Sequence, residues 1–242
     1  MKELAKRALR QLGLELVRKR PHGEDFVVDH HVDVVLDVGA NDGLYGRFIR
    51  AAGYRGRIVS FEPVHSTYEA LREHAANDAQ WKTVNLGLGR ADGVATISVA
   101  RRSVFSSILQ PLATLKEFAS DDVASVREER LSLTTLDSQF PLFVRTGDRV
   151  FLKIDTQGYE REVILGGTTS LSMIWGIQLE LSLKPLYEGE ASIAEMLALL
   201  ENNGFHLALI DPVTYDLRKG VLLQIDCVFL KDDGWADHHT TS

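Results

Sequence analysis

Three features of the chain predict a doubly wound α/β fold built on a mostly parallel, seven-stranded sheet. From Val32 onward, apolar β-branched runs alternate with helical patterns, the signature of βα units whose sheet is covered on both faces. The first run leads straight into Asp37-Val38-Gly39-Ala40-Asn41-Asp42-Gly43, a strand end followed by a glycine-punctuated turn and a helix. The last two runs are separated only by a turn-rich stretch with Asp211-Pro212 and Lys219-Gly220, which suits an antiparallel hairpin closing the sheet.

The elements follow in order. Strands are predicted over 34–38, 57–61, 83–86, 150–154, 177–181, 206–210 and 222–230, with helices over 45–52, 66–76, 160–166 and 193–203 between them. Asn203-Gly204 is a suitable stop for the last helix. Residues 94–99 alternate like a half-exposed strand and 130–136 also reads as extended, so a small flap insertion is expected over one end of the domain. The organisation is then a basic helical extension over 1–31, the α/β domain over 32–233 and a tail over 234–242.

Composition narrows the function classes. The 242 residues are 45% hydrophobic and 25% charged, as in an ordinary globular protein. A net charge of −7 argues against nucleic-acid binding by a basic face. Cys227, the single cysteine, forms no internal disulfide and lies in an apolar run, so it reads as core packing in a reducing, cytoplasmic setting. No stretch is apolar enough to cross a bilayer. Within residues 1–20, seven bases face two acids, and Ala5, Leu9, Leu12 and Leu16 recur at helical spacing. Such a segment suits peripheral contact with an anionic membrane, or docking on the domain or a second subunit.

Ligands of doubly wound sheets bind at the carboxyl ends of the strands, where four signals fall. In the first, Gly39 admits a close backbone approach, Gly43 permits the turn, and Asp37 is expected to supply a charged acceptor beside the opening. The phosphate-loop and dinucleotide glycine patterns are both absent, and an acid at the turn favours a cationic ligand with an amino group, such as S-adenosylmethionine. Glu62, 19 residues after Gly43 at the end of the next strand, is placed to accept from both ribose hydroxyls. Leu86 and Gly87 would border the adenine. The third signal is Leu152-Lys153-Ile154-Asp155-Thr156-Gln157-Gly158, whose acid should face the transferable methyl. The fourth is Glu180, 25 residues further on, which an adjacent parallel strand would bring to the same rim.

This ordered set, with Phe61-Glu62-Pro63 and the later Gly204-Phe205 and Gln224-Ile225-Asp226, resembles the FkbM family of S-adenosylmethionine-dependent methyltransferases. The resemblance implies a Rossmann-like class I methyltransferase fold and, usually, O-methylation of sugars, glycans, glycolipids or natural products. It also implies that Asp37, Gly39, Ala40, Asn41 and Gly43 form the cofactor loop with Tyr45 beside it, that Glu62 and Pro63 hold the ribose, and that Asp155 stands at the reaction centre. Ser107, of the pair Ser106-Ser107, matches a serine pair common in the family.

An alcohol acceptor must lose its proton during attack, which requires a base or a metal. Asp155 is the candidate base, with Glu180 as helper or as co-ligand with Asp155 of a Mg²⁺-like ion. For Glu180 the alternative is a buried acid paired with Lys184 or a backbone amide. Arg101-Arg102 reads as a solvated pair or as a grip on an anionic acceptor, and none of the histidines is assigned as base. Two other classes stay open: a nicotinamide-dependent oxidoreductase, which the missing third glycine disfavours, and a non-catalytic nucleotide-binding domain.

Overall fold

The computed structural model describes residues 22–231. The segment over 1–20 and the tail lie outside the described residues. A seven-stranded sheet forms the centre, in the order β3-β2-β1-β7-β8-β10-β9. Its strands are β1 (Val34–Val38), β2 (Arg57–Phe61), β3 (Trp81–Val84), β7 (Val150–Ile154), β8 (Ile174–Ser182), β9 (Phe205–Asp216) and β10 (Val221–Lys231). The first five in that spatial order pair in parallel, and β10 pairs antiparallel with both β8 and β9, as the terminal hairpin predicts.

The central strands β1, β2 and β7 are mostly apolar because both faces are covered. Val34, Leu36 and Val38 belong to one core with residues from α5 (Leu136–Phe143), α6 (Glu160–Leu165) and α7 (Ile193–Glu201). Val35 points the other way, into a core with residues from α1 (Gly23–Asp29), α2 (Leu44–Ala52) and α3 (His65–Ala75). Alternation along each strand thus divides the side chains between the two layers. Helix α1 falls in the stretch read as an extension, yet its Val27 is 1% exposed in the core. Cys227 is fully buried, and burial pushes its thiol up to about 12, which suits a packing role.

The expected flap is a three-stranded sheet, β4 (Gly87–Leu88), β5 (Gly93–Ala100) and β6 (Ser125–Thr134), followed along β5 by a 3-10 turn over Ser103–Phe105 and, further on, by α4 (Ala113–Phe118). Several boundaries depart from expectation; the largest is that β9 runs on to Asp216, so Asp211-Pro212, expected in the turn, pair with β10. The strand placed over 83–86 is Trp81–Val84, so Leu86 and Gly87 lie past its end. The strand expected to reach residue 136 ends at Thr134, because the Thr135 side chain accepts from Ser138 N and caps α5. Helix α4 was not foreseen; its six residues are too few to show periodicity. Among the described residues, no helix is long and apolar enough to cross a membrane.

Candidate active site

Four polar residues occupy corresponding positions on adjacent strands of the face that packs on α2. Ser60 on β2 is in register with Asp37 on β1, Asp37 with Lys153 on β7, and Lys153 with Gln178 on β8. Neighbouring strands lie roughly 5 Å apart, which brings Ser60 to Asp37 and Asp37 to Lys153. Trp81 Nε1 donates to Ser60 Oγ at 3.0 Å, and Ser60 Oγ donates to Asp37 Oδ2 at 3.0 Å. Lys153 Nζ stands 3.6 Å from Asp37 Oδ1 and 3.3 Å from Asp155 Oδ2, beneath the Tyr45 ring. Asp37 is fully buried, so it lies under the turn and does not line its opening as expected. Burial raises its carboxyl, against the pull of Lys153 and Ser60.

Above this row two loops carry backbone that side chains rarely adopt. In the β1–α2 loop, Gly39, Asn41 and Gly43 have φ of 77°, 50° and 86°; in the β7–α6 loop, Gln157 and Gly158 have 55° and 96°. Gly39 is required by its neighbour strand, since an added Cβ would sit 1.9 Å from the Asp155 carbonyl oxygen. The Asn41 amide donates to Glu62 Oε2 and the Val64 amide to Glu62 Oε1, both at 2.9 Å, which fixes that carboxylate at the end of β2. Asn85 Nδ2 donates to the Glu62 carbonyl at 2.8 Å. Burial pushes Glu62 up to about 7 although both amides pull it down. The β7–α6 loop is tied by Glu160, which accepts from the Thr156 and Gly158 amides at 2.8 and 3.2 Å.

Between the two loops and the flap runs a cleft. Gly39, Asn41, Glu62 and Pro63 line one side, Leu86 and Gly87 one end, and Asp155 and Gln157 the other, with apolar cover from Ile97 and Leu133 of the flap. The flap is fastened to both loops: Ser103 Oγ donates to Asn41 Oδ1 at 3.0 Å, and Ser107 Oγ donates to the Gln157 carbonyl at 2.7 Å. Ser107 is 2% exposed and also accepts from the Leu109 amide, so it holds the loop and does not line the cleft; Ser106 does. Ala40 is core and Gly43 packs over Leu71 and Trp81. Tyr45 lies outside the cleft lining, its hydroxyl 3.5 Å from Gln178 Oε1.

Asp155 and Glu180 do come together, through an amide. Gln157 Nε2 donates to Asp155 Oδ1 at 2.8 Å and to Glu180 Oε2 at 2.9 Å, while the Tyr187 hydroxyl donates to Gln157 Oε1 at 3.0 Å. Gln224 Nε2 adds a bond to Glu180 Oε2 at 2.7 Å, so Glu180 pairs with side-chain amides, and Lys184 is exposed. Burial, then Asp155 and Asp226, hold the Glu180 carboxyl well above its ordinary value. Among the described residues no group of three or more His, Cys, Asp or Glu side chains gathers to hold a metal ion, and the Gln157 amide bridges Asp155 and Glu180. Arg102 pairs with Asp122 at 3.8 Å.

The profile of the methyltransferase FkbM domain matches residues 37–207. The chain belongs to the FkbM methyltransferase family. Among solved structures, the magnesium protoporphyrin IX methyltransferase of Synechocystis PCC 6803 with bound S-adenosylmethionine aligns at 10% identity over 94% of this chain and 80% of that one, with a TM-score of 0.49. A plantazolicin methyltransferase aligns at 8% over 86% and 83%, TM-score 0.48. The 1,6-didemethyltoxoflavin-N1-methyltransferase of Burkholderia thailandensis aligns at 12% over 86% and 76%, TM-score 0.46. No curated protein sequence matches. The sheet order and its antiparallel end give this FkbM methyltransferase the Rossmann-like methyltransferase fold expected of it.

Sequence reading missed Lys153, Trp81, Ser60, Gln157 and Glu160. The signal was present for the first and third: Val-Ser-Phe and Leu-Lys-Ile each set one polar residue in an otherwise apolar strand, as Val-Asp-Val does. Polar residues there must find partners on neighbouring strands.

Proposed function

We propose that this methyltransferase binds S-adenosylmethionine in the cleft and transfers its methyl group to a hydroxyl of a sugar, glycan, glycolipid or other small-molecule acceptor. The observation that carries this reading is one cleft with a carboxylate at either side, Glu62 and Asp155, and apolar cover between. Glu62 suits the two ribose hydroxyls, and the apolar surface near Leu86 and Leu133 suits adenine. Asp155 is then the group nearest the transferred methyl. The acceptor oxygen attacks the methyl carbon, the carbon–sulfur bond breaks with its electron pair left on sulfur, and the hydroxyl proton passes to the Asp155 carboxylate. Holding oxygen and methyl in line supplies much of the rate.

Calorimetric titration with S-adenosylmethionine, S-adenosylhomocysteine and NAD tests the cofactor. Binding of the first two and not the third is expected, and binding of NAD alone would replace the reading with the oxidoreductase one. A second expectation concerns pH. An ionised Glu62 accepts both ribose hydroxyls best, and its carboxyl titrates at about 7 in the folded chain. Affinity for S-adenosylhomocysteine should therefore weaken as pH falls below 7, by up to about tenfold per unit, and Glu62→Gln should flatten the profile. The same shift acts oppositely on stability. The folded state binds this proton more tightly than an unfolded carboxyl of ordinary value 4.5, so the contribution is present below 4.5 and is lost as pH rises to about 7.

A further inference from the structure

S-adenosylmethionine and its demethylated product share the adenosine, ammonium and carboxylate groups and differ by one methyl and the positive charge on sulfur. The difference between their affinities therefore reports what the protein does to that charge. Asp155 is the carboxylate at the methyl end of the cleft, and its side chain is 33% exposed. Left bare, it would grip the sulfonium and lose that grip when the methyl departs, which stabilises the ground state and raises the barrier.

Asp155 is not bare. Lys153 Nζ stands 3.3 Å from its Oδ2, and the side chain that carries it is 11% exposed, held by Asp37 at 3.6 Å and covered by the Tyr45 ring. Burial opposes the charge, but Asp155 and Asp37 outweigh it and hold the ammonium above the ordinary lysine value. Asp226, on β10, adds in the same direction. Glu180 instead meets the amides of Gln157 and Gln224.

We propose that Lys153 sets how strongly the cleft prefers S-adenosylmethionine over S-adenosylhomocysteine, by neutralising the Asp155 carboxylate that faces the sulfonium. The inference rests on the cofactor reading above. Lys153 is a selectivity-determining residue that acts through Asp155. Its net effect keeps a cationic cofactor from being bound too tightly to react.

The test is calorimetric titration of the full chain with both ligands at pH 7.5, for wild type, Lys153→Met and Asp155→Asn, with circular dichroism as the folding check. Lys153→Met should raise the ratio of the S-adenosylhomocysteine Kd to the S-adenosylmethionine Kd by about tenfold, the size of one partly screened charge contact. Asp155→Asn, which leaves the ammonium facing the sulfonium, should lower it by a similar factor. General damage to the site moves both affinities together and leaves the ratio unchanged. If Lys153→Met does not fold, Lys153→Gln takes its place, with the same rise in the ratio expected. A wild-type ratio in the variants that fold would overturn the inference while leaving the cofactor reading intact. Failure of wild type to bind either ligand would overturn both.

Discussion

Gly39→Ala is expected to destabilise the fold by about 3 kcal/mol or more, seen as a fall of roughly 6–12 °C in melting temperature. Two costs add. The backbone at Gly39 has φ of 77°, and a Cβ there would lie 1.9 Å from the carbonyl oxygen of Asp155. That oxygen cannot retreat cheaply, because the Asp155 amide donates to the Val38 carbonyl at 3.0 Å and ties the two strand ends together. Gly53 provides the control: its φ is 111°, but nothing lies within 4 Å of an added Cβ, so Gly53→Ala bears conformational strain alone. Equal losses in the two variants, measured by calorimetric melting, would show that the approach of the loops is not tight. Because the clash is with the residue assigned as base, Gly39→Ala should weaken cofactor binding as well.

The second large effect is chemical. Asp155→Asn should lower methyl transfer by about 10²–10⁴ while S-adenosylhomocysteine binding stays within about threefold. An asparagine keeps the shape and the hydrogen bond to Gln157 available through its oxygen, but it takes no proton from an attacking hydroxyl. Transfer of labelled methyl from S-adenosylmethionine to an acceptor found by screening sugars and other polyols, under single-turnover conditions, measures it. A loss smaller than about tenfold would remove Asp155 from the role of base and turn attention to Glu180, which reaches Asp155 through one amide.

The centre of the sheet was legible because its strands are buried on both faces. Runs such as Val34–Val38, Arg57–Phe61 and Val150–Ile154 are bounded by turns or charges, and all three predicted ranges match those observed. Residues read as lying at or just past strand ends do meet at one cleft: Glu62, Leu86, Gly87 and Asp155 all line it. It was misread where a residue acts one layer below. Asp37 reads as a cofactor acceptor because sequence shows its distance from Gly39 and not that its side chain points under the turn, toward Ser60 and Lys153. Gly43 makes the turn into the helix as expected, while Gly39, which lines the cleft, is also required by a neighbouring backbone that spacing does not reveal. Partners brought together by strand register, such as Lys153 and Asp37, cannot be paired from spacing along the chain when over a hundred residues separate them. Short helices and the serine fastenings of the flap carry no periodic signal at all.

The sheet order also constrains how the chain is assembled. Strand β10, the last of the described strands in sequence, lies between β8 and β9. Until it is in place, β8 shows an open edge of unpaired amides and carbonyls, and β9 has no neighbour on which to form. During synthesis the parallel half can pair as it emerges, but the sheet waits for residues 221–231 before its two parts become one. Gln224 and Asp226 travel on that strand, and with them the bonds that hold Glu180 and Gln178. Completion of the nascent fold and completion of the polar network beside the active site are thus a single late event.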